Sequence, residues 1–208
     1  MLEFYFSPGS CALASHIVLE DVGAEYRAHK IDFAANEQES PDFLAVNPKG
    51  RVPALITAVG ILTETPAMLV YIAQTHPAAN LAPLADAFAF ARMQAFNSFL
   101  ASTLHVAHAH NRRGHRWADE PEAIAAMRRK VPQSVGDAFA YVETEAFVGP
   151  YVMGDVYTVA DPYLFTVARW LEGDGVDPAR FPKIVGHREM MRGRKAVRAA
   201  LAAEGLAD

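Results

Sequence analysis

The strongest constraint in this chain is a change of pattern at Thr75. Before it, short apolar runs alternate with helical stretches; after it, only helical periodicity remains. The stretch between, "THPAANLAPLAD" (75–86), carries Pro77 and Pro83 without periodicity and reads as a linker. A mixed first part joined to an all-helical second part predicts an α/β domain packed on an all-α domain. The expected limits are 1–77 for the first domain, 78–86 for the linker and 87–208 for the second.

Within the first part, "LEFYF" (2–6) is apolar and aromatic and predicts a buried strand. Ser7-Pro8-Gly9 turns the chain, and Ser10 is placed as an N-cap. A helix is expected over about 11–22, where Leu13 and Ile17, and Ala14, Val18 and Val22, recur at helical spacing before Gly23. "EYRAHKI" alternates as a second strand, and "SPDFLAVNP" reads as a short helix that stops at Pro48. "VPALI" and "ILT" flank Ala58-Val59-Gly60 as a hairpin. Thr65 is the expected cap of a helix reaching to about Thr75, with Pro66 at its first position. The predicted order is βαβαββα. Beyond the linker, helices are expected over 86–113, 121–146 and 159–171, with one or two more between 181 and 203.

A chain of 208 residues is long enough to bury a real core. With 51% hydrophobic and 21% charged residues it has the composition of a globular protein rather than a disordered one. A net charge of −5 gives no overall electrostatic footprint for nucleic acid. Cys11 is the single cysteine, which excludes an internal disulfide and fits a reducing, cytoplasmic setting. No signal-peptide pattern opens the chain, and no run approaches the ~18 apolar residues of a membrane span.

Three places carry chemistry. Cys11 stands at a helix start, where unpaired N–H groups and the positive end of the dipole favour a thiolate. The alternative at this position is a small buried hydrophobe. Ala14 occupies the place of a second cysteine, so a dithiol oxidoreductase is excluded unless an outside thiol takes part. Val52, held extended by Pro53, can offer its backbone to an extended peptide. Glu64 and Thr65 at the next helix start suit an ammonium and a carboxylate, the two charges of an amino-acid head group, although a plain N-cap explains the same residues.

Taken together, "SPGSCALASHI", "NPKGRVPALI", "LTETPAMLVYIA", "YTVADPYLFTVARW" and "AVRAALAAEGL" resemble the cytosolic glutathione transferases, most closely the bacterial beta class. The resemblance implies a thioredoxin-like first domain, an all-helical second domain, a homodimer and a role in detoxification, with glutathione as cosubstrate and no metal. It implies that Glu64 and Thr65 hold the γ-glutamyl end, that Val52 beside a cis Pro53 pairs with the cysteinyl part, and that Cys11 and His105 approach the sulfur. Ser10 is an alternative sulfur donor. Relative to that family, the loop "DFAANEQES" has no lysine, leaving Asn36 as the nearest polar match. Ser98 stands where the family has a helix asparagine, and Phe6 where a tyrosine is common. Phe6, Ser7, His108, Arg112 and Trp170 are candidates for the electrophile site.

The helical spacing also groups His105 with Ser98, Ala101, Ser102, His108 and Arg112 on one small polar face. "HVAHAHNRRGHRW" does not have metal-site spacing and reads as a basic cleft rim suited to acidic or polar electrophiles, while Arg112-Arg113 taken as a run reads as solvated helix surface. "TVAD" resembles a capping box and is assigned to structure. The expected function is activation of the glutathione thiol for attack on small hydrophobic electrophiles. The alternatives are glutathione-dependent redox chemistry through Cys11, or a non-catalytic binding protein.

Overall fold

The computed structural model describes residues 1–207. The first part is β1 (Leu2–Phe6), α1 (Ala12–Asp21), β2 (Tyr26–Lys30), α2 (Pro41–Val46), β3 (Ala54–Thr57), β4 (Gly60–Thr63) and α3 (Thr65–Thr75). This is the order read from the sequence. The sheet runs β2-β1-β3-β4, with β1 and β2 parallel and the other pairs antiparallel. A parallel pair needs a crossover, and α1 supplies it.

Two caps differ from expectation. Cys11, not Ser10, occupies the N-cap position of α1, while the Ser10 hydroxyl accepts the Ala12 N–H at 3.3 Å. At α3 the N-cap position is Glu64, with φ 74°, and Thr65 is already helical. A non-glycine residue in that region carries roughly 1–3 kcal/mol of strain, which the surrounding fold must offset.

The second part is α4 (Ala87–Phe99), a π-helical turn over Leu100–Leu104, α5 (His105–Ala109), α6 (Pro121–Tyr141), α7 (Ala160–Ala168), α8 (Pro182–Arg192) and α9 (Lys195–Glu204). The expected helix over 86–113 is thus one run interrupted by the π-turn. The linker is tied down where the Val159 N–H donates to the Leu81 carbonyl at 2.9 Å.

The helix α1 joins the two parts. It is apolar on nearly all sides, so it must be covered all round. Phe4 and Phe6 pack on its sheet-facing side through the His16 ring. Leu13 and Ile17 pack with Phe165 of α7, Met191 of α8 and Val197, Ala200 and Leu201 of α9. Each such fully buried aliphatic side chain contributes roughly 1.5–3 kcal/mol relative to exposure.

The "TVAD" segment forms a capping box at the start of α7. The Asp161 carboxylate accepts from the Thr158 N–H at 2.7 Å and the Val152 N–H at 2.8 Å, and lies 3.1 Å from His187 Nε2. The Thr158 hydroxyl accepts the Ala160 N–H at 3.3 Å.

Candidate functional site

A groove of about 1020 Å³ opens between the first part and the helices. Its first wall comes from the turn after β1, the segment leading into β3, and the start of α3. This wall brings together Ser10, Cys11, Val52, Pro53, Glu64 and Thr65, with Asn36 at its edge. The Val52–Pro53 bond is cis. The opposite wall presents His105, His108, Arg112 and Trp170.

Three expected residues lie outside the groove. Phe6 points into the core beside Phe4, 5% exposed, because alternation along β1 puts both on the face covered by α1. Ser7 is buried and does not line the groove. Ser98 is exposed on α4 and also absent from the lining. The π-turn between Ser98 and His105 adds residues per turn, so a face drawn at α-helical spacing does not carry through it. Ser102, also exposed, bonds its hydroxyl to the Ser98 carbonyl at 2.8 Å.

Cys11 is buried, and its Sγ donates to the Val52 carbonyl at 3.6 Å. Burial pushes its pKa up, outweighing the lowering influences of Thr65, Arg113 and its own backbone. The thiol is therefore protonated at neutral pH. The helix-start argument identified a real influence, and desolvation is the larger one.

His105 is driven the other way, to a pKa of about 3, by burial first and then by His108, Arg113, Arg116 and Arg51. Its imidazole is neutral and able to donate one N–H. It lies with His108 against Trp170, and the His108 and Trp170 rings stack at 4.1 Å. His108 Nδ1 is 2.7 Å from Asp174, whose other oxygen accepts from Asn111 at 2.9 Å.

At the α3 end, Glu64 is paired with the Lys49 ammonium, which also donates to Thr63 at 2.8 Å. The carboxylate thus already receives a cation in the groove. Lys49, Arg51, Arg113, Arg116, Trp117 and Tyr163 line the groove too; Arg113, Arg116 and Trp117 fall in the segment read as a basic cleft rim, while Lys49, Arg51 and Tyr163 were not singled out as site residues. "NPKGR" and "NRRGHRW" carried the signal for most of them. Arg113 is half-buried, with its guanidinium over the Phe33 ring at 5.9 Å, and so is not solvated helix surface. Tyr163 is buried, and its phenol is held protonated by that burial.

The turn carrying Ser10 and Cys11 is clamped from the second part. The Gly9 N–H donates to Glu204 at 2.9 Å, and the Gly9 carbonyl accepts from the Trp170 indole at 3.0 Å. The other Glu204 oxygen lies 2.9 Å from His16 Nδ1, with both side chains buried. Gly9 has φ 70°, a conformation that suits glycine. No cluster of three or more metal-binding side chains occurs among the described residues.

This fold and groove define a thioredoxin-like domain joined to a helical one, with a thiol at their junction. The family described as glutathione S-transferase, N-terminal domain, matches residues 2–74. Glutathione S-transferase GstA of Escherichia coli O157:H7 is 31% identical over 208 residues, covering 99% of this chain and all of that one. A glutathione transferase homologue from Sulfitobacter, crystallised with bound glutathione, superposes with a TM-score of 0.95 at 45% identity, over 100% of this chain and 99% of that one. A beta-class glutathione S-transferase from Sphingomonas chungbukensis gives 0.85 at 36% identity, over 99% and 100%. The chain belongs to the glutathione S-transferase family.

Proposed function

We propose that the groove binds glutathione and activates its thiol for attack on small electrophiles, as a homodimer in the cytoplasm and in a detoxifying role. The observation that carries this reading is the placement of Cys11, Val52, Glu64, Thr65 and His105 in one groove of a chain that superposes on a homologue crystallised with glutathione.

Glutathione has an amino-acid head, an amide backbone and a sulfur, and the groove has a partner for each. The ammonium suits the Glu64 Oε2 oxygen, since Lys49 contacts only Oε1. The head-group carboxylate suits the N–H groups at the start of α3 and the Thr65 hydroxyl. The cysteinyl amide suits the Val52 backbone, and Asn36 lies toward the other end. The sulfur then falls near Ser10, Cys11 and His105.

The neutral His105 imidazole, and the Cys11 thiol on turning its one proton from the Val52 carbonyl to the ligand, serve as donors that stabilise the thiolate. A sulfur lone pair forms the new S–C bond, the leaving group departs with its bonding pair, and the thiol proton passes to solvent. Groups held in place on both walls supply orientation. Redox exchange through Cys11 gains no support from a buried, protonated sulfur.

The test is calorimetric titration with glutathione, followed by a conjugation assay with chlorodinitrobenzene. Binding in the micromolar to millimolar range with catalysed conjugation is expected. Absence of binding at high millimolar glutathione would overturn the reading.

A further inference from the structure

Arg51, Arg112, Arg113 and Arg116 all line the groove. Among the described residues none of the four makes an ion pair, and they face one concave groove together rather than being spread over the open surface. The four are close enough to act on one another. Burial lowers the Arg113 pKa, with Arg51 and Arg112 adding to the effect. Burial also lowers Arg116, with Arg113 and Arg51 adding.

The carboxylates lining the groove do not balance this charge. Glu64 is taken by Lys49, and Glu39 acts on Arg116 without forming an ion pair. Concave walls with one sign of charge concentrate the field and attract the opposite ion. Glutathione itself brings two carboxylates. One belongs at the start of α3, and the other is satisfied by a single bidentate guanidinium. Arg51, on the glutathione wall next to Val52, is placed for that pair. Arg112, Arg113 and Arg116 stand on the helical wall and remain in surplus.

The same wall is aromatic. Trp117 lines the groove and is 48% exposed, and its ring is set by an edge contact to His110 at 4.5 Å. Trp170 and His108 form a second stacked face.

We infer that the second substrate of this groove is an aromatic electrophile carrying a negative charge, such as a carboxylate, held by Arg112, Arg113 and Arg116 with its ring against these aromatic faces. The inference rests on the transferase reading above. It narrows the second substrate from small electrophiles in general to an aromatic anion.

The experiment has a binding arm and a rate arm. Glutathione-saturated protein is titrated with dinitrobenzoate and with dinitrobenzamide, which differ in charge and not in ring. The carboxylate should bind about tenfold more tightly, as charge-assisted hydrogen bonds predict. Conjugation of chlorodinitrobenzoate is then compared with that of its methyl ester, each corrected for its uncatalysed rate with glutathione. The corrected kcat/KM should favour the carboxylate, and added salt should reduce the preference.

The double variant Arg112→Gln with Arg116→Gln removes two exposed guanidiniums and spares the core. Its preference for the carboxylate should fall about tenfold in both arms. Equal or better binding of the amide overturns the inference, as does an unchanged preference in the variant. Loss of glutathione affinity in the variant with the preference intact also overturns it, because the arginines would then serve the cosubstrate. Failure of glutathione itself to bind rejects the transferase reading instead.

Discussion

The two walls of the groove are made by different means. The first uses main chain: the Val52 backbone beside the cis bond, the start of α3, and the Gly9 turn. The second uses side chains projected from helices: His105, His108, Arg113 and Trp170. A wall of backbone groups is set by the sheet and suits one peptide-like ligand. A wall of side chains can change charge and shape without disturbing the fold. The contrast teaches why the cosubstrate is readable from motifs and the second substrate is read from the surplus of arginines.

The largest expected effect tests what supports the helical wall. Asp161→Ala strips a buried acceptor from two backbone N–H groups and the His187 ring. It should cost about 3 kcal/mol or more, seen as a lowered denaturant midpoint. The next tests that wall's chemistry. His105→Ala should slow conjugation by about 10²-fold, the size found for removing one preorganised donor to a developing anion. Circular dichroism should remain native. If the rate holds, the sulfur is served by the first wall alone.

Thr65→Ala probes the main-chain wall. It should raise the KM for glutathione by about tenfold, the worth of one hydrogen bond to a charged group, with less effect on kcat. An effect on kcat alone would move Thr65 to the sulfur end.

A smaller signal comes from pH. His105 has a folded pKa of about 3, against an ordinary value of 6.5. Above 6.5 both folded and unfolded forms are neutral. As pH falls from 6.5 toward 3 the unfolded chain takes a proton that the folded one refuses, so stability is lost across that window. Denaturant melts of His105→Ala should show a shallower loss there, by about one proton.

The smallest change is expected for Cys11→Ala. With its thiol protonated, conjugation should fall less than about threefold, as for loss of one weak sulfur donor. A collapse of the rate would make this sulfur central and reverse the roles of the two walls.

Most of the first part was legible because its signals are local. A short apolar and aromatic run marked β1, the Pro-Gly turn closed it, alternation marked β2, and Ala58-Val59-Gly60 marked the hairpin. Phe6 was misplaced because alternation along β1 sets it beside Phe4 on the face that α1 covers, with the His16 ring packed against both. Ser98 was misplaced because the π-turn leaves no mark in an apolar-periodic run. The Glu204–Gly9 contact joins residues 195 apart in sequence, and no local pattern encodes it.

Sequence alone determined the order of elements in the first part, the capping box at Thr158 and Asp161, and the turn and helix starts that form the first wall. These follow from spacing and backbone preference, which act over a few residues. Only the tertiary structure decided that Cys11 is a buried thiol, that His105 is neutral, and that Arg113 faces a groove rather than bulk water. Protonation and charge balance depend on what packs around a group, and those neighbours arrive from distant parts of the chain.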